Sequence, residues 1–295
     1  MTTLNSRYKI LLETINLKSL TKVAEKTGYT QSGISHILNA LEKEWGITLV
    51  RRNHNGSIVT PEGKQLLPYI IDVLHAEEAL HEHIESIKGL EAGLIRIGSF
   101  SSVSLNLLPH IIQSFQKLHP YIHFEILHGD YSEIESWIMN GLADIGFLRL
   151  PLKDSFDYLP FYKDTIFAIL PEDQRSKNTE YISLEELEQS PFIMLDMGEL
   201  NDYQNYFDNH GIKPNIRYTA REDAVVMAMV ESHLGIGLCY ELSFRRNPYR
   251  IYAKQLEAPA QREIVIATKK GQRRSLAVES FLSFVDTYQK SSKAI

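Results

Sequence analysis

The 295-residue chain contains one cysteine, Cys239. A single thiol excludes an internal disulfide and any zinc site built from several cysteines, and it fits a reducing compartment. No apolar run approaches the roughly 18 residues that cross a bilayer. The opening "MTTLNSRYKILLETINLKSL" has no charged segment followed by a long apolar one, so no secretory signal is read there. Also missing are the G-x-x-x-x-G-K-[ST] phosphate loop, a G-x-G-x-x-G after a strand, the G-x-S-x-G elbow and the H-E-x-x-H zinc helix. These absences argue against catalysis. The expectation is a cytoplasmic protein that is not an enzyme, with no membrane segment, no metal and no cofactor.

What is present is globular in composition: 43% of residues are apolar and 23% charged. The length accommodates two or three domains. The net charge of −6 is unevenly spread. Residues 1–65 carry nine Lys/Arg against five Asp/Glu, whereas the rest carries 22 against 32. A basic head that could meet an anionic polymer is joined to an acidic body that would not.

The head contains "TQSGISHILNALEKEW", from Thr30 to Trp45. At helical spacing, Ile34, Ile37, Leu38, Leu41 and Trp45 fall within about 100° of arc. Gln31, Ser32, Ser35, His36, Asn39 and Lys43 fall opposite, with no acid among them. A solvated helix face usually mixes Glu with Lys. Gln, Ser, His and Asn instead suit base edges and phosphates, although a polar surface helix without acids is the plainer alternative. Upstream, Ser19 caps a short helix through Leu20, Val23, Ala24 and Lys26, Gly28 permits a left-handed turn, and Thr30 caps the next helix. That is a helix-turn-helix, whose second helix enters the major groove by its N-terminal residues.

The stretch "SLTKVAEKTGYTQSGISHILNALEKEWGITLVRRNHNGSIVTPEGKQLL" resembles the N-terminal domain of LysR-type transcriptional regulators. The matching positions are Val23-Ala24, Thr30-Gln31-Ser32-Gly33-Ile34-Ser35, Leu41-Glu42 through Trp45-Gly46 to Leu49-Val50-Arg51-Arg52, and Val59-Thr60-Pro61-Glu62-Gly63. They run over about 50 residues without a gap. Gly33, Trp45, Val50 and Glu62 depart from the family's usual Ala, Leu, Phe and Ala, and His36 stands where the family often has Arg.

"LVRRNHNGSIVT" reads as strand, Asn55-Gly56 turn and strand. The resemblance makes it a wing whose Arg51, Arg52, His54 and Asn55 face phosphate or minor groove. Thr60-Pro61 then starts a helix expected to run to about Lys88. Its Leu66, Ile70, Val73, Leu80, Ile84 and Ile87 form a near-heptad seam, through which family members pair two subunits. His75, His81 and His83 lack the spacing of a zinc helix and are read as surface.

Beyond Gly89, "GLIRIGSF", "YIHFEILHG" and "ADIGFLRL" read as strands alternating with helices, and a similar run returns from "PFIMLD" to "IGLCY". This predicts an α/β body of two halves, with extended crossings near 162–170 and 262–268. The resemblance implies a two-lobed, periplasmic-binding-protein-like effector domain. The expected organisation is a winged helix-turn-helix over 1–60, a linker and dimerisation helix over 61–88, and an effector domain over 89–295. Its first lobe is placed at about 90–162 and 268–295, and its second at about 163–267.

Open α/β sheets bind ligands beyond the carboxyl ends of their strands. Ser99, Ser101 and Ser102 follow the first strand and open a helix, which suits a carboxylate or other anion but is equally met by N-capping. By similarity Phe147, Arg149, Met197, Thr219 and Gly237 join them in the cleft, although Arg149 could instead pair with a local acid. The implied function is a ligand-responsive transcriptional regulator. Two heads would meet half-sites of an interrupted palindrome in double-stranded DNA. The assembly would be a dimer or, as is usual in the family, a tetramer, with RNA polymerase a candidate partner and an anionic metabolite the family-guided effector. The competing readings are an α/β enzyme, or a solute-binding protein, acting on such a metabolite.

Overall fold

A computed structural model describes residues 4–53, 56–87, 92–175, 180–197 and 201–291. The chain divides into two compact units. One comprises the chain up to Gly93 with Gly271–Glu279; the other comprises Leu94–Lys270 with the chain from Ser280 onward.

In the first unit, α1 (Leu4–Leu17), α2 (Leu20–Thr27) and α3 (Gln31–Trp45) precede a hairpin of β1 (Val50–Asn53) and β2 (Gly56–Val59), followed by α4 (Pro61–Ile87). The caps follow from local chemistry. The Ser19 side chain accepts from the Lys22 amide at the start of α2, and Gly28 ends that helix at φ 74°, a conformation open to glycine at no steric cost. Thr30 Oγ1 accepts from the Gly33 amide at 3.1 Å to start α3. Glu42 binds this helix to the wing, its Oε1 accepting from the amides of Leu49 at 2.6 Å and Val50 at 3.0 Å. The buried Thr60 donates its hydroxyl to the Thr48 carbonyl and accepts from the Gly63 amide. A Cβ on Gly63 would stand 2.6 Å from the Leu49 carbonyl oxygen, so only glycine allows α4 to start this close to the wing. Ile10, Leu11, Leu20, Val23, Ile34, Leu38, Leu41 and Leu49 form the core, joined by Ile70 and Leu74 of α4. Each such side chain contributes about 1.5–3 kcal/mol by leaving water. Trp45 is half-buried, its ring 5.8 Å from that of Tyr8.

The sequence expectation for α4 is corrected in one respect. Leu67, Ile70, Ile71 and Leu74 are buried, so Ile70 belongs to the head's own core, and Leu66 packs partly against it. The exposed apolar face is instead Tyr69, Val73, Leu80 and Ile84, at 70%, 45%, 61% and 38% exposure. These four positions span about 60° of arc, centred roughly 120° from the buried residues. A helix crossing from one covered face to one bare face carries two stripes, and periodicity alone merges them.

The second unit begins with β3 (Gly93–Ser99), α5 (Ser101–Asn106), α6 (Leu108–Gln116), β4 (Ile122–His128), α7 (Tyr131–Met139) and β5 (Ile145–Arg149). The long β6 (Phe156–Pro171) follows, with a 3-10 turn at Glu172–Gln174. Then come β7 (Tyr181–Ile182), α8 (Leu184–Gln189), β8 (Pro191–Leu195), α9 (Asp202–His210), β9 (Asn215–Ala220), α10 (Asp223–Glu231), β10 (Ile236–Tyr240), α11 (Glu241–Phe244), β11 (Ile251–Leu256), β12 (Gln261–Lys269) and α12 (Leu276–Ser291). Strands run β4-β3-β5-β12-β6-β10-β8-β9, with β11 on β6 and β7 on β11. Parallel pairs β3–β5, β8–β9 and β8–β10 identify each half as an open α/β sheet.

The strand β6 joins the halves. Residues Phe156 to Thr165 pair with β12, and Ile166 to Pro171 pair with β10 and β11. The return crossing lies between Leu256 and Gln261, because the whole of β12 pairs with β5 and β6 in the first lobe. Residues 261–267 therefore belong to the first lobe, not the second. The sequence reading mistook an apolar strand at the centre of a sheet for the extended connection. Phe115, Phe124 and Phe281 pack edge to face in the first lobe, with ring centroids 5.1–5.9 Å apart. Phe192, Tyr203, Phe207, Val230 and Leu238 anchor the second.

Candidate functional site

Two sites emerge, one in each unit. On α3, Ile34, Ile37, Leu38 and Leu41 are buried, which turns the other side of the helix to solvent. Gln31, Ser32, His36, Asn39 and Lys43 are exposed there, and Ser35 is half-buried. Thr30 and Ser32 share a hydrogen bond of 3.1 Å between their hydroxyls. At the start of α3 amide N–H groups lack helical partners and add partial positive charge. The face combines donors, acceptors and one cation, the chemistry that meets phosphates and base edges. Arg51 is exposed on β1, where its backbone pairs with Ile58, and Arg52 pairs with Ser57. His54 and Asn55 lie outside the described residues. Tyr29, 42% exposed in the turn before α3, is a neighbouring aromatic that the sequence reading passed over.

The second unit holds a cleft of about 530 Å³ between its lobes. The carboxyl ends of β3, β4, β8, β9 and β10 all lead to it, as open α/β sheets dictate. Arg262 of β12 organises it. The guanidinium is buried and bonds Asp164 through Nε at 3.0 Å and Nη2 at 2.6 Å. It also donates to the Tyr131 hydroxyl at 2.8 Å and to Ser102 Oγ at 2.9 Å. The Tyr240 ring lies against it, 3.6 Å from centroid to guanidinium carbon. Asp164 is fully enclosed and also accepts from the Leu242 amide. Burial pushes its carboxyl above the ordinary value of 3.8, although Arg262 pulls in the other direction. Tyr240 donates to Asp202 at 2.5 Å, and Asp202 pairs with Arg149 at 3.0 Å. Burial likewise raises the Tyr131 and Tyr240 phenols.

Of the eight effector residues expected from the sequence, Ser101, Ser102 and Met197 line this cleft. Ser101 Oγ bonds His128 Nε2 at 2.9 Å, and Ser102 is taken by Arg262. The other five are displaced for identifiable reasons. Ser99 is enclosed and accepts from the Ser104 hydroxyl. Phe147 is enclosed against Phe161, with ring centroids 5.0 Å apart. Arg149 turns away to Asp202 and the Leu150 carbonyl. Thr219 sits exposed on β9 opposite Met194. Gly237 is packed within β10, where a Cβ would meet Val226 at 2.9 Å. Sequence reasoning missed Arg262, Tyr131, Tyr240 and Asp223. The one local signal was Arg262, a cation two residues before the apolar run "IVIA" of a strand.

The cleft carries charges of both signs. Its walls hold five carboxylates, on Asp130, Glu133, Asp196, Glu222 and Asp223, against Arg221 and Arg262. Arg221 pairs with Asp196 at 3.2 Å, and Arg262 with Asp164. Among the described residues no cluster of His, Cys, Asp and Glu could hold a metal ion. His81 and His83 are exposed on α4, and His75 bonds Gln272. Nor, among those residues, is any helix long and apolar enough to cross a membrane.

A solvent-facing helix-turn-helix with a wing, joined to a two-lobed α/β body around a cleft, defines a DNA-binding protein with an effector domain. A family described as "Bacterial regulatory helix-turn-helix protein, lysR family" matches residues 6–64, and one described as "LysR substrate binding domain" matches residues 88–289. The chain belongs to the LysR family; it is a DNA-binding transcriptional regulator with an effector-binding domain and not an enzyme. It is similar to the uncharacterized HTH-type transcriptional regulator YvbU of Bacillus subtilis, 26% identical over 94% of this chain and 96% of that one. It is also similar to the probable HTH-type transcriptional regulator LrrA of Synechococcus elongatus, 24% identical over 98% of each. Among solved structures, full-length OxyR from Pseudomonas aeruginosa superposes with a TM-score of 0.74 at 19% identity, covering 97% of this chain and 98% of that one. CbnR in complex with its target DNA gives 0.66 at 15% identity, covering 97% and 99%.

Proposed function

We propose that this regulator reads an interrupted palindrome as a homodimer and responds to a small molecule held in the interlobe cleft. The DNA contact is assigned to Thr30, Gln31, Ser32, Ser35, His36 and Asn39 of the recognition segment, in the major groove, with Arg51, Arg52, His54 and Asn55 of the wing on the backbone. The observation carrying this reading is the polar, solvent-facing run of α3 from Gln31 to Asn39, which contains no acid, beside an exposed Arg51. The structural neighbour CbnR is described with its target DNA, which supports DNA as the partner. The bare face of Tyr69, Val73, Leu80 and Ile84 supports dimerisation through α4, within the linker 61–88, because such a stripe costs stability while it faces water. Tetramers would add a second pair of heads, and RNA polymerase is the partner through which promoter output changes. The site of action is the cytoplasm, where the DNA is.

The effector domain of QuiR, another neighbour, is described in complex with shikimate, which supports a ligand for the comparable domain here. Occupancy of the cleft regulates only if the ligand binds two lobe arrangements with different affinity. The decisive experiment is a mobility-shift titration against the DNA upstream of the protein's own gene and its neighbours, at several salt concentrations. Preference of about 1,000-fold or more over bulk DNA, weakening steeply with salt, is expected. Equal affinity for all duplexes would remove the reading.

A further inference from the structure

Five side chains at the cleft close into one ring. Arg262 donates to the Tyr131 hydroxyl at 2.8 Å, and its guanidinium carbon lies 3.6 Å from the Tyr240 ring centroid. The Tyr240 hydroxyl donates to Asp202 Oδ2 at 2.5 Å. The other oxygen, Oδ1, pairs with Arg149 Nη2 at 3.0 Å. The Arg149 guanidinium closes the ring 5.7 Å from the Tyr131 centroid, and it is anchored on its own side by the Leu150 carbonyl at 3.1 Å.

Tyr131, Arg149 and Arg262 stand on α7, β5 and β12 of the first lobe, whereas Asp202 and Tyr240 stand on α9 and β10 of the second. The ring therefore crosses between the lobes twice, at Arg262–Tyr240 and at Arg149–Asp202. The first crossing lines the cleft. The second is withdrawn from solvent, its side chains only 10% and 13% exposed.

The withdrawn crossing is suited to switching. Neither residue lies on β6 or on the return between Leu256 and Gln261, so the bond can open with every strand pairing between the lobes intact. If the lobes part, both charges regain water. Burying an ion pair costs about what the pairing returns, so the closed and open forms lie near balance. The Tyr240 hydroxyl biases that balance by holding the Asp202 carboxylate in the orientation that meets Arg149. A molecule that displaces the Tyr240 ring from Arg262 withdraws that hold.

Resting on the reading of this cleft as the effector site, we propose that Arg149 and Asp202 latch the two lobes together. Asp202 is the positioning residue: it acts through Tyr240, and so couples the occupant of the cleft to the arrangement of the lobes.

The test reads the lobes by maleimide labelling of full-length protein. A Cys239→Ser, Ser101→Cys chain carries its one thiol on the cleft wall. The parent carries its one thiol, Cys239, in the core of the second lobe at 1% exposure. Asp202→Asn should speed labelling of the cleft thiol about tenfold or more, as loss of a charge-assisted bond implies, and leave Cys239 as slow as in the parent. Arg149→Gln with Asp202→Asn gives the same readout with neither charge left buried, should the single variant fail to fold. Tyr240→Phe keeps the ring over Arg262 but removes the hydroxyl, and should speed cleft labelling about threefold. Equal acceleration at Cys239 would reduce Asp202 to a structural role and overturn the latch, as would unchanged labelling at both thiols. No effect of Tyr240→Phe would overturn the link between cleft and latch. Mobility shifts with DNA upstream of the protein's own gene test the underlying reading separately. If the variants with faster cleft labelling bind that DNA as the parent does, the latch stands and the cleft loses its regulatory role.

Discussion

The exposed face of α3 and the walls of the interlobe cleft are both polar, and they are built in opposite ways. The α3 face takes its polar side chains from within ten positions, Thr30 to Asn39, where helix geometry turns them to solvent and the apolar ones inward. The cleft is drawn together across the chain: Arg262 finds Asp164 98 residues away, Tyr131 at 131 and Ser102 at 160. A surface for a long polymer can be written locally, because the polymer brings its own shape. A pocket for a small molecule must supply the shape itself, and most of its polar groups are used to hold it.

The sharpest way to break that contrast is to attack the cleft's internal bonding. Arg262→Met leaves Asp164 enclosed without its cation, so a loss of about 3–5 kcal/mol is expected from the effector unit, read as chemical denaturation. Asp164→Asn combined with Arg262→Met should recover much of that loss, since it removes both charges. If the single variant proves neutral, the pair does not hold the cleft. Next in size is the bare stripe on α4. Val73→Lys with Leu80→Lys should weaken the proposed dimer about 30-fold or more, measured by light scattering across a dilution series. An unchanged dimer would place the subunit contact elsewhere.

The recognition face should respond through DNA alone. Gln31→Glu puts a negative charge in the first turn of α3, where the helix tolerates it, yet among phosphates. Affinity for the preferred site should fall about 10- to 100-fold, with the melting temperature nearly unchanged. Retained affinity would dissociate α3 from the groove. The smallest expected effect lies in the cleft wall. The folded pKa of Asp223 is raised above 3.8, so its contribution to stability is present at low pH and is lost as pH rises through the folded value. Asp223→Asn should therefore be slightly more stable than its parent at neutral pH, with the difference shrinking on acidification. Thermal melts at two pH values measure it.

This contrast also explains what could be read in advance. Ser19, Gly28 and Thr30 mark helix ends through bonds to residues a few positions away, and Thr60-Pro61 marks the start of α4 in the same manner. Alternating strands and helices announce the α/β body. The displaced residues needed knowledge of long-range pairing. Gly237 and Phe147 are cleft residues by family similarity, but the pleat turns Phe147 into a core with Phe161. Residues 261–267 read as a connection because a central strand, covered on both faces, loses alternation. The seam on α4 was misdrawn because one helix serves two environments.

The side of α3 around Gln31 and His36 is the surface proposed to touch bases in the major groove. Methylation interference tests it most directly, since a methyl on guanine N7 stands in that groove. Interference is expected in two half-sites about one or more helical turns apart, with a guanine position losing its effect in Gln31→Ala or His36→Ala. Interference that is absent, or that is unaltered by either substitution, would contradict it.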